Sequence, residues 1–340
     1  MSDMWYNKPG NNKDVVISSR VRFARNLVDY PFAAKLDPVS AAEIIGKVKG
    51  LFENEYTITD FGKLSPVEVR SYVEKHYVSP EFAASQLPRC LITHDSKDLS
   101  VMVCEEDHIR LQSITSGLSL EEAYKNACEA DDIICDKLNI AYDEELGYLT
   151  HCPTNLGTGM RASVMMFLPA LTATKEINRI APQLSKFGLT IRGLYGEGSE
   201  ADGCLYQISN QITLGITEEA AIEKLSDIIN QIIVKEHKAR DMIKSDNYNR
   251  LADMIYRAYG IMSSAYLMGS KEFLKLYSDI RLGIAMGFLS GINYETIDEL
   301  MIDVLPANLI RSAGRDLNES ERDLYRSEYI KKQLKQKESR

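Results

Sequence analysis

Five arginines beside unusual polar segments offer the clearest chemistry in this sequence. Arg20 and Arg22 lie two residues apart in a β-branched stretch, so on a strand they would face the same side. Arg110, Arg161 and Arg192 follow at long intervals. The guanidinium group stays charged at any working pH, and its planar fork matches phosphate oxygens. If the five side chains converge, they would form a cradle for a triphosphate.

Each of these segments also has an ordinary interpretation, and spacing alone leaves both open. An alternating Arg-Val-Arg is more often a solvated strand face, and the Glu-Glu-Asp-His run at 105–108 is more often a surface turn. The sequence contains no GxxxxGK[ST], no GxGxxG and no protein-kinase motif set. A phosphate site in this chain would therefore be built differently from a P-loop.

Composition restricts the class of protein. Of 340 residues, 44% are hydrophobic and 26% charged, which excludes general disorder. The net charge of −9 makes a nonspecific nucleic-acid binder a poor candidate. We expect no signal peptide and no membrane span, because apolar runs of the required length are missing. Six cysteines without a CxxC pattern then predict a cytoplasmic protein with free thiols.

Hydrophobic periodicity and capping signals predict the elements that must position these arginines. A Ser-Pro-Val-Glu sequence from Ser65 predicts a helix start, and Thr217 caps a long helix that reaches the 240s. The other predicted helices cover 38–52, 119–138 and 168–181, the last interrupted by Pro169. The predicted strands cover 15–23, 90–93, 99–104, 109–115, 189–195 and 205–214.

The pattern changes after Lys244, where nearly all of the chain is predicted to be helical. Three apolar stripes at helical spacing follow, the third stopped by Pro306, and Asn318 with Glu321 caps a last helix. Such stripes predict packing on a partner chain or on the first domain. We therefore divide the chain into a polar leader (1–14), a mixed domain (15–244) and a helical domain (245–340).

Four segments together resemble the catalytic segments of the guanidino kinases, also called phosphagen kinases. They cover 18–22, 105–110, 152–162 and 196–201, in the order that the family has. The form of 192–198 and the helical tail, to about residue 327, resemble most closely the bacterial protein arginine kinases of that family. The resemblance implies an α+β fold, an antiparallel sheet flanked by helices, followed by a smaller all-α domain.

The resemblance also implies a reaction, the transfer of the terminal phosphoryl group of ATP to a protein arginine, with Mg²⁺ on the phosphates. His76 matches a nucleotide-contacting histidine, although a surface histidine at a helix end fits its spacing equally well. The implied nucleotide-binding residues are Ser18, Ser19, Arg20, Val21, Arg22, His76, Arg110, Arg161, Ala162, Ser163, Val164, Met165, Arg192, Gly193, Leu194, Tyr195 and Gly196.

Carboxylates and one thiol complete the implied catalytic set. Glu106 matches the base that takes a proton from the acceptor nitrogen, and a second carboxylate lies in the following loop, with Glu197 preferred to Glu200. Cys152 matches the reactive cysteine of the family and would help orient the guanidinium. Tyr195 replaces an arginine that phosphagen kinases have in this loop, so Arg192 would supply the γ-phosphate contact.

The two ends of the chain set it apart from metabolic guanidino kinases. Those enzymes carry an N-terminal helical domain, for which the motif at residue 18 leaves no room, and an unlidded site suits an arginine presented on a protein. The helical tail implies dimerisation and allosteric phosphoarginine binding. The implied allosteric residues are Arg322, Asp323, Arg326 and Ser327, of which Ser327 replaces a family alanine. An ordinary surface pair between Asp323 and Arg326 is the alternative.

The resemblance finally implies partners: a zinc-binding activator of the McsA type, a stress-response repressor as a substrate, and the Clp protease system. Three alternatives stay open. The first alternative is a metabolic kinase of free arginine or another small guanidino compound, and the second is an inactive adaptor that binds phosphoarginine. The third is a plain scaffold, if the arginines do not converge.

Overall fold

A computed structural model describes residues 4–52, 55–94, 96–193 and 202–338. The described strands are β1 Val16–Arg25, β2 Tyr56–Asp60, β3 Cys90–His94, β4 Leu99–Val103, β5 Ile109–Ser116, β6 Tyr142–Asp143, β7 Gly147–Tyr148, β8 Met160–Phe167, β9 Leu189–Gly193 and β10 Leu205–Asn210. Strands β6 and β7 form a small two-stranded sheet, and the other eight form one sheet in the order β2-β3-β4-β5-β1-β8-β10-β9, in which every neighbouring pair is antiparallel. The predicted α+β fold with an antiparallel sheet is confirmed.

Helices cover one face of the sheet and build the C-terminal part of the chain. They are α1 Pro38–Lys49, α2 Pro66–Glu74, α3 Pro80–Ala84, α4 Leu120–Lys137, α5 Pro169–Ala173, α6 Ile177–Lys186, α7 Glu218–Ser264, α8 Ser270–Ala285, α9 Tyr294–Asp303, α10 Pro306–Ala313 and α11 Glu319–Glu338. Within the described ranges, none of them has the length and apolarity needed to cross a bilayer.

The main core lies between the sheet and the helices on one of its faces. Alternate residues of the central strands, such as Val21, Phe23, Leu111 and Val164, are buried there. Helix α4 packs on β1 and β5. Because side chains alternate between the two faces of a strand, the polar residues at the intervening positions must lie on the opposite face.

The helical tail packs on the first domain. Its apolar stripes form a second core with sheet residues, among them Ile17, Phe167 and Leu205. Trp5 and Tyr6 are 1% and 4% exposed in that same core. Of the predicted polar leader, residues 4–14 are therefore part of the fold, because the two aromatic side chains bury apolar surface there.

Several predicted boundaries are wrong for identifiable reasons. Pro169 begins α5 instead of interrupting a helix, since proline lacks only an N–H that the first turn does not use. The helix predicted to reach the 240s meets non-helical backbone angles at Asn247 (φ −140°, ψ 36°), and α7 continues beyond this kink to Ser264. Strands β2 and β8 carried no recognised signal; β8 is almost completely buried and shows no alternation.

A group of hydrogen bonds joins the helical C-terminal region to the sheet domain where α10 meets α2. The carboxylate of Glu74, at the end of α2, accepts hydrogen bonds from the backbone N–H groups of Ala307 and Asn308, both at 2.8 Å. Ser71 donates to the Asn308 side chain at 2.6 Å and accepts from Arg311 at 2.9 Å. Glu74 therefore caps the N-terminus of α10, where a negative charge is favourable, and fixes α2 against the helical domain.

We expect Glu74→Gln to lower the free energy of unfolding by about 1–2 kcal/mol. A glutamine has one carbonyl oxygen, so it leaves one of the two N–H groups of α10 without its acceptor. Urea unfolding of the full chain measures the change. Glu328→Gln, on an exposed position of α11, is the matched control. A destabilisation equal to that of the control would show that the cap contributes little.

Candidate active site

The sheet register brings the arginines of three strands onto one face. Arg22 of β1 pairs with Arg161 of β8, and Ala24 of β1 pairs with Arg110 of β5. Paired residues of antiparallel strands point to the same side, as do alternate residues of one strand. Arg20, Arg22, Arg110 and Arg161 therefore project together from the face opposite the main core.

The fifth arginine joins them from the edge of the sheet. Arg192 on β9 pairs with Gln207 on β10 and is exposed. A cleft of ≈ 500 Å³ is lined by Arg192 together with the four arginines of β1, β5 and β8. Its other lining residues are Glu81, Glu105, Glu106, Gln207 and Ser209. The arginines predicted from sequence therefore converge, which removes the basis for the scaffold alternative.

The arginines in the cleft repel one another. Desolvation, and then the charges of Arg110 and Arg161, lower the pKa of Arg20 to about 10. Desolvation and the neighbouring guanidinium groups also lower the pKa of Arg22 and of Arg161. The Nε atoms of Arg22 and Arg161 are buried and have no hydrogen-bond partner in the described part of the chain. A polyanion would satisfy these groups and relieve the repulsion.

Glu105 is the counter-ion that fixes one of the arginines. Its Oε1 atom accepts hydrogen bonds from Arg110 Nη1 and Ser79 Oγ, both at 2.6 Å. Burial works to raise the pKa of Glu105, but the contacts with Arg110 outweigh burial and the pKa is lowered. Glu105 is therefore an ionised structural group. The sequence analysis missed this role, because nothing in a Glu-Glu-Asp run distinguishes its members.

Glu106 has the opposite environment. It is exposed at the mouth of the cleft and lines a smaller cavity of ≈ 100 Å³ together with Cys152, Arg22 and Arg161. Desolvation, and then the negative charges of Asp107 and Glu105, raise its pKa. The neighbouring Cys152 Sγ lies 3.0 Å from Thr154 Oγ1. A carboxylate of increased basicity and a thiol thus stand where an acceptor would enter beside the arginines.

Two glycines explain the turn that precedes Arg161. Gly157 has φ +102°, and a Cβ atom there would lie 2.1 Å from the carbonyl oxygen of Thr213. Gly159 has φ +62°, and its Cβ atom would lie 2.6 Å from Arg25 Nη1. Only glycine combines such backbone angles with such close packing. The turn is therefore held tightly at the start of β8, which fixes the position of Arg161.

His76 lies at the other end of the arginine cluster, in the left-handed region with φ +62°. Gln112 Nε2 donates to the carbonyl oxygens of His76 and Tyr77 at 2.7 and 3.0 Å and holds this turn. The Nε2 atom of His76 is buried and has no partner among the described residues. Burial, and then the charge of Arg20, lower its pKa to about 4. His76 is thus a neutral, partly buried imidazole with an unused polar atom, rather than a solvated surface histidine.

Among the described residues, the remaining nucleotide-site predictions fall into three groups. Ser18, Ser163 and Met165 line a recess of ≈ 30 Å³ with His76 and Arg20. Gly193 is the last residue of β9. The side chains of a third group are buried on the opposite side of the strands from the cleft, so they can serve the site only by holding the sheet. These residues are Ser19, Val21, Ala162 and Val164. The predicted residues that lie outside the described part of the chain are Leu194, Tyr195, Gly196, Glu197 and Glu200.

The four residues of the predicted phosphoarginine site lie on α11, away from the cleft. Arg326 is 1% exposed, and its Nη1 atom donates to Met268 O at 2.7 Å and to Asp323 Oδ1 at 2.6 Å. Ser327 donates to a backbone carbonyl of the α7 C-terminus, and Arg322 donates to Leu317 O at 3.2 Å. The pair of Asp323 and Arg326 is thus partly buried and ties α11 to its neighbours, not a solvated surface pair.

Carboxylates that could accompany Mg²⁺ are few. Within the described ranges there is no group of three or more His, Cys, Asp or Glu side chains arranged to hold a metal. Glu81 lines the cleft and is separate from Glu106 and Glu105. Mg²⁺ commonly takes one or two carboxylates together with phosphate oxygens and waters, so this donor set fits an ion that enters with a nucleotide.

Comparison with known proteins gives consistent matches over the whole chain. The family described as ATP:guanido phosphotransferase, C-terminal catalytic domain, matches residues 42–239, and the protein-arginine kinase McsB C-terminal domain matches residues 248–340. A protein-arginine kinase of Geobacillus sp. (strain WCH70) is 43% identical over 342 residues, covering 98% of this chain and 94% of the relative. One of Clostridium tetani (strain Massachusetts / E88) is 42% identical, covering 97% and 98%.

Solved structures support the fold. The duplicated taurocyamine kinase from Schistosoma mansoni with bound transition state analog components has a TM-score of 0.62 at 24% identity. The match covers 76% of this chain and 38% of that longer chain. A lombricine kinase structure has a TM-score of 0.58 at 22% identity, covering 69% of each chain. These two structures share the fold described above.

The crowding of positive charge predicts opposite effects of Arg22→Met on stability and on binding. Without nucleotide, we expect the free energy of unfolding to rise by about 1 kcal/mol, because a desolvated, repelled charge is replaced by an apolar chain. The affinity for ATP should fall at least about tenfold, since one charge-assisted contact is lost. Urea unfolding and calorimetric titration measure the two effects. The control Arg257→Met, at an exposed position of α7, should change neither the free energy of unfolding nor the affinity for ATP. If Arg22→Met lowers the free energy of unfolding, the arginines do not repel one another as described.

Buried His76 predicts a loss of stability in acid. As the pH falls from about 6.5 towards 4, the unfolded state takes up a proton that the folded His76 refuses, so the free energy of unfolding decreases, by on the order of 1–3 kcal/mol. His76→Asn tolerates the positive φ and does not titrate. Unfolding by urea at pH 7, 6 and 5 should show a shallower decrease for this variant. Equal pH slopes in both proteins would exclude the effect.

Proposed function

The chain belongs to the ATP:guanido phosphotransferase family and, within it, to the protein-arginine kinases; from this premise we propose that it transfers the terminal phosphoryl group of ATP to arginine side chains of other proteins. The observation that carries the proposal is the cleft in which five arginines meet beside Glu106. Neither a P-loop nor a lysine cradle is needed, because the guanidinium groups surround the phosphates from β1, β5, β8 and β9.

The arginines bind and orient the triphosphate. Arg20, Arg22 and Arg161 have pKa values lowered by desolvation and mutual repulsion, so an entering polyanion gains from each of them. Arg110 is held in a fixed direction by Glu105. Phosphoryl transfer depends chiefly on positioning and on neutralising charge at the phosphate oxygens. Arg192, at the open edge, supplies the γ-phosphate contact. Mg²⁺, when bound, would add positive charge at the phosphates, and Glu81 of the cleft would accompany it.

Glu106 prepares the acceptor. A guanidinium is protonated and delocalised, so its nitrogen lone pair is not available until a proton leaves. Glu106, whose pKa is raised, aligns the acceptor and takes that proton while the N–P bond forms and the bond to the β–γ bridging oxygen breaks, leaving ADP. Cys152, in the same small cavity, helps to orient the guanidinium. Glu197, or else Glu200, supplies the second carboxylate.

The proposal also covers the location of the protein, its partners and its regulation. We place the protein in the cytoplasm, in agreement with six cysteines that are all free. Arginine phosphorylation would mark stress-response targets for the Clp protease system, with an activator of the McsA type and a homodimeric enzyme. The segment that holds Arg322, Asp323, Arg326 and Ser327 would sense phosphoarginine; the match of the McsB C-terminal domain to residues 248–340 supports a role of this kind.

The decisive experiment compares acceptors. The full-length protein is incubated with Mg-ATP and either casein or free arginine, and the products are examined by mass spectrometry under conditions that preserve acid-labile phosphate. We expect phosphoarginine on casein. Phosphorylation of free arginine alone would indicate a metabolic guanidino kinase, and binding of phosphoarginine without ATP turnover would indicate an adaptor.

Glu106→Gln tests the base. The variant keeps the shape of the side chain but cannot accept the proton, so we expect kcat to fall about 10²–10⁴-fold while the affinity for ATP changes little. In the wild type, the rate should be lost as the pH falls through the raised pKa of Glu106, above the ordinary value of about 4.3 for glutamate. A rate near that of the wild type, or an unchanged acid limb, would show that another group removes the proton. Glu328→Gln is the control.

A further inference from the structure

A large groove lies outside the catalytic cleft, on the surface formed by α2, α3 and the loop that leads into β3. Its volume is ≈ 1010 Å³, and its lining is mainly apolar, including Phe61, Leu64, Val69, Val73 and Leu87. Phe61 is buried and belongs to a small core of its own under these helices. The groove is therefore a preformed apolar surface that rests on a small buried core. The proposed reaction, as derived above, makes no use of it.

The groove lies beside the catalytic cleft, with helix α3 between them. Pro80 and Ala84 of α3 line the groove, while Glu81 of the same helix lines the cleft that contains Glu106. The cavity of ≈ 340 Å³ that holds His76 also adjoins the groove but belongs to the nucleotide end of the cleft. An acceptor chain therefore reaches Glu106 over α3.

Hydrogen bonds connect the groove wall to the turn that carries the proposed base, because Glu105 also accepts from the backbone N–H of Glu106 at 2.8 Å. Ser79 caps α3 by accepting a bond from Phe82 N at 2.9 Å, and its hydroxyl donates to Glu105, the residue before Glu106. Ala83 and Ala84 of the same helix α3 line the groove. An acceptor chain that lies in the groove is therefore directed along a wall that is tied to the catalytic turn.

The charged side chains that the groove presents to an occupant are positive. Glu74 is engaged by the N-terminus of α10. Arg70 is exposed, and Arg89 lies with its guanidinium 6.0 and 5.8 Å from the ring centres of Phe61 and Phe82. Arg89 donates from Nη1 to Leu87 O at 3.2 Å and from Nη2 to Ala83 O at 3.1 Å, while its buried Nε atom has no partner in the described ranges. An apolar segment that carries a carboxylate matches this combination.

We propose that this groove binds the polypeptide on which the acceptor arginine is carried, through an extended apolar segment with a carboxylate, a few residues away from that arginine. This inference rests on the proposed function. A protein acceptor cannot end at the cleft as a small guanidino compound does; its chain must continue over the adjoining surface, and an extended chain advances about 3.3 Å per residue. Binding there raises the occupancy of the cleft by the arginine without contact with the reacting atoms.

Two substitutions block the groove, and one control uses the same helix. Val69→Glu places a charge in the groove, and Ala84→Trp fills it from an exposed position on α3. Val67→Glu is the matched control, because Val67 is half-buried on α2 like Val69 but does not line the groove. The acceptors are casein and a blocked arginine tripeptide, which is too short to reach the groove.

We expect both groove variants to lower kcat/KM for casein about tenfold, while the control stays within about twofold of the wild type. For the tripeptide, kcat/KM and the KM for ATP should be unchanged in all three variants. The equilibrium affinity for casein, measured in parallel, should weaken by the same factor in the groove variants. This measurement compares the variants with the wild type independently of turnover. If Val69→Glu proves unstable in urea unfolding, Ala84→Trp decides alone.

Unchanged casein kinetics and binding in the groove variants would overturn the proposal and would leave the groove to another partner, such as an activator protein or a second copy of this chain. Equal losses with casein and the tripeptide would also overturn it, because the substitutions would then act on the cleft itself. If the wild-type protein phosphorylates neither acceptor, the proposed function fails, which is a different result from a failure of the groove.

Discussion

The repulsion among arginine side chains on one face of the sheet is the constraint on which this structure depends. Desolvation, and then the charges of neighbouring guanidinium groups, lower the pKa of Arg20, Arg22 and Arg161, and among the described residues Glu105 forms an ion pair only with Arg110. Such a cluster destabilises the unliganded protein and favours a polyanion. The rest of the fold must hold these charges together, and the paired strands do so by fixing the positions from which they project.

The wall of the site is built jointly by the two parts of the chain. The turn at His76 is fixed from the sheet by Gln112, while α2, which precedes it, is fixed by the cap that Glu74 forms on α10. Leu305, between α9 and α10, lines the same cavity as Arg20. The helical domain is therefore a structural part of the site's surroundings, and changes in its packing would reach the turn that carries His76 through a short series of direct contacts.

The cleft and the proposed docking groove are two different kinds of surface. In the proposed reaction, the cleft offers charge to the nucleotide and a carboxylate of raised pKa, Glu106, to the acceptor nitrogen. The adjoining groove offers apolar surface and two arginines, Arg70 and Arg89. Binding energy from the groove would be available to a polymeric acceptor and not to free arginine. Discrimination between the two could then come from surface outside the cleft, without any change in the reacting groups.

The sequence by itself determined those features that depend on residues close together in the chain. The caps at Ser65 and Asn318 and the shared face of Arg20 and Arg22 follow from interactions within a few residues, and the structure contains all of them. The meeting of Arg22 with Arg161 was decided by strand register, which joins residues far apart in the chain. The buried strand β8 was missed because it has no alternation to read, and the burial of Trp5 because its partners lie in distant helices. The groove belongs to tertiary structure alone, since its shape arises only where α2, α3 and the approach to β3 pack together.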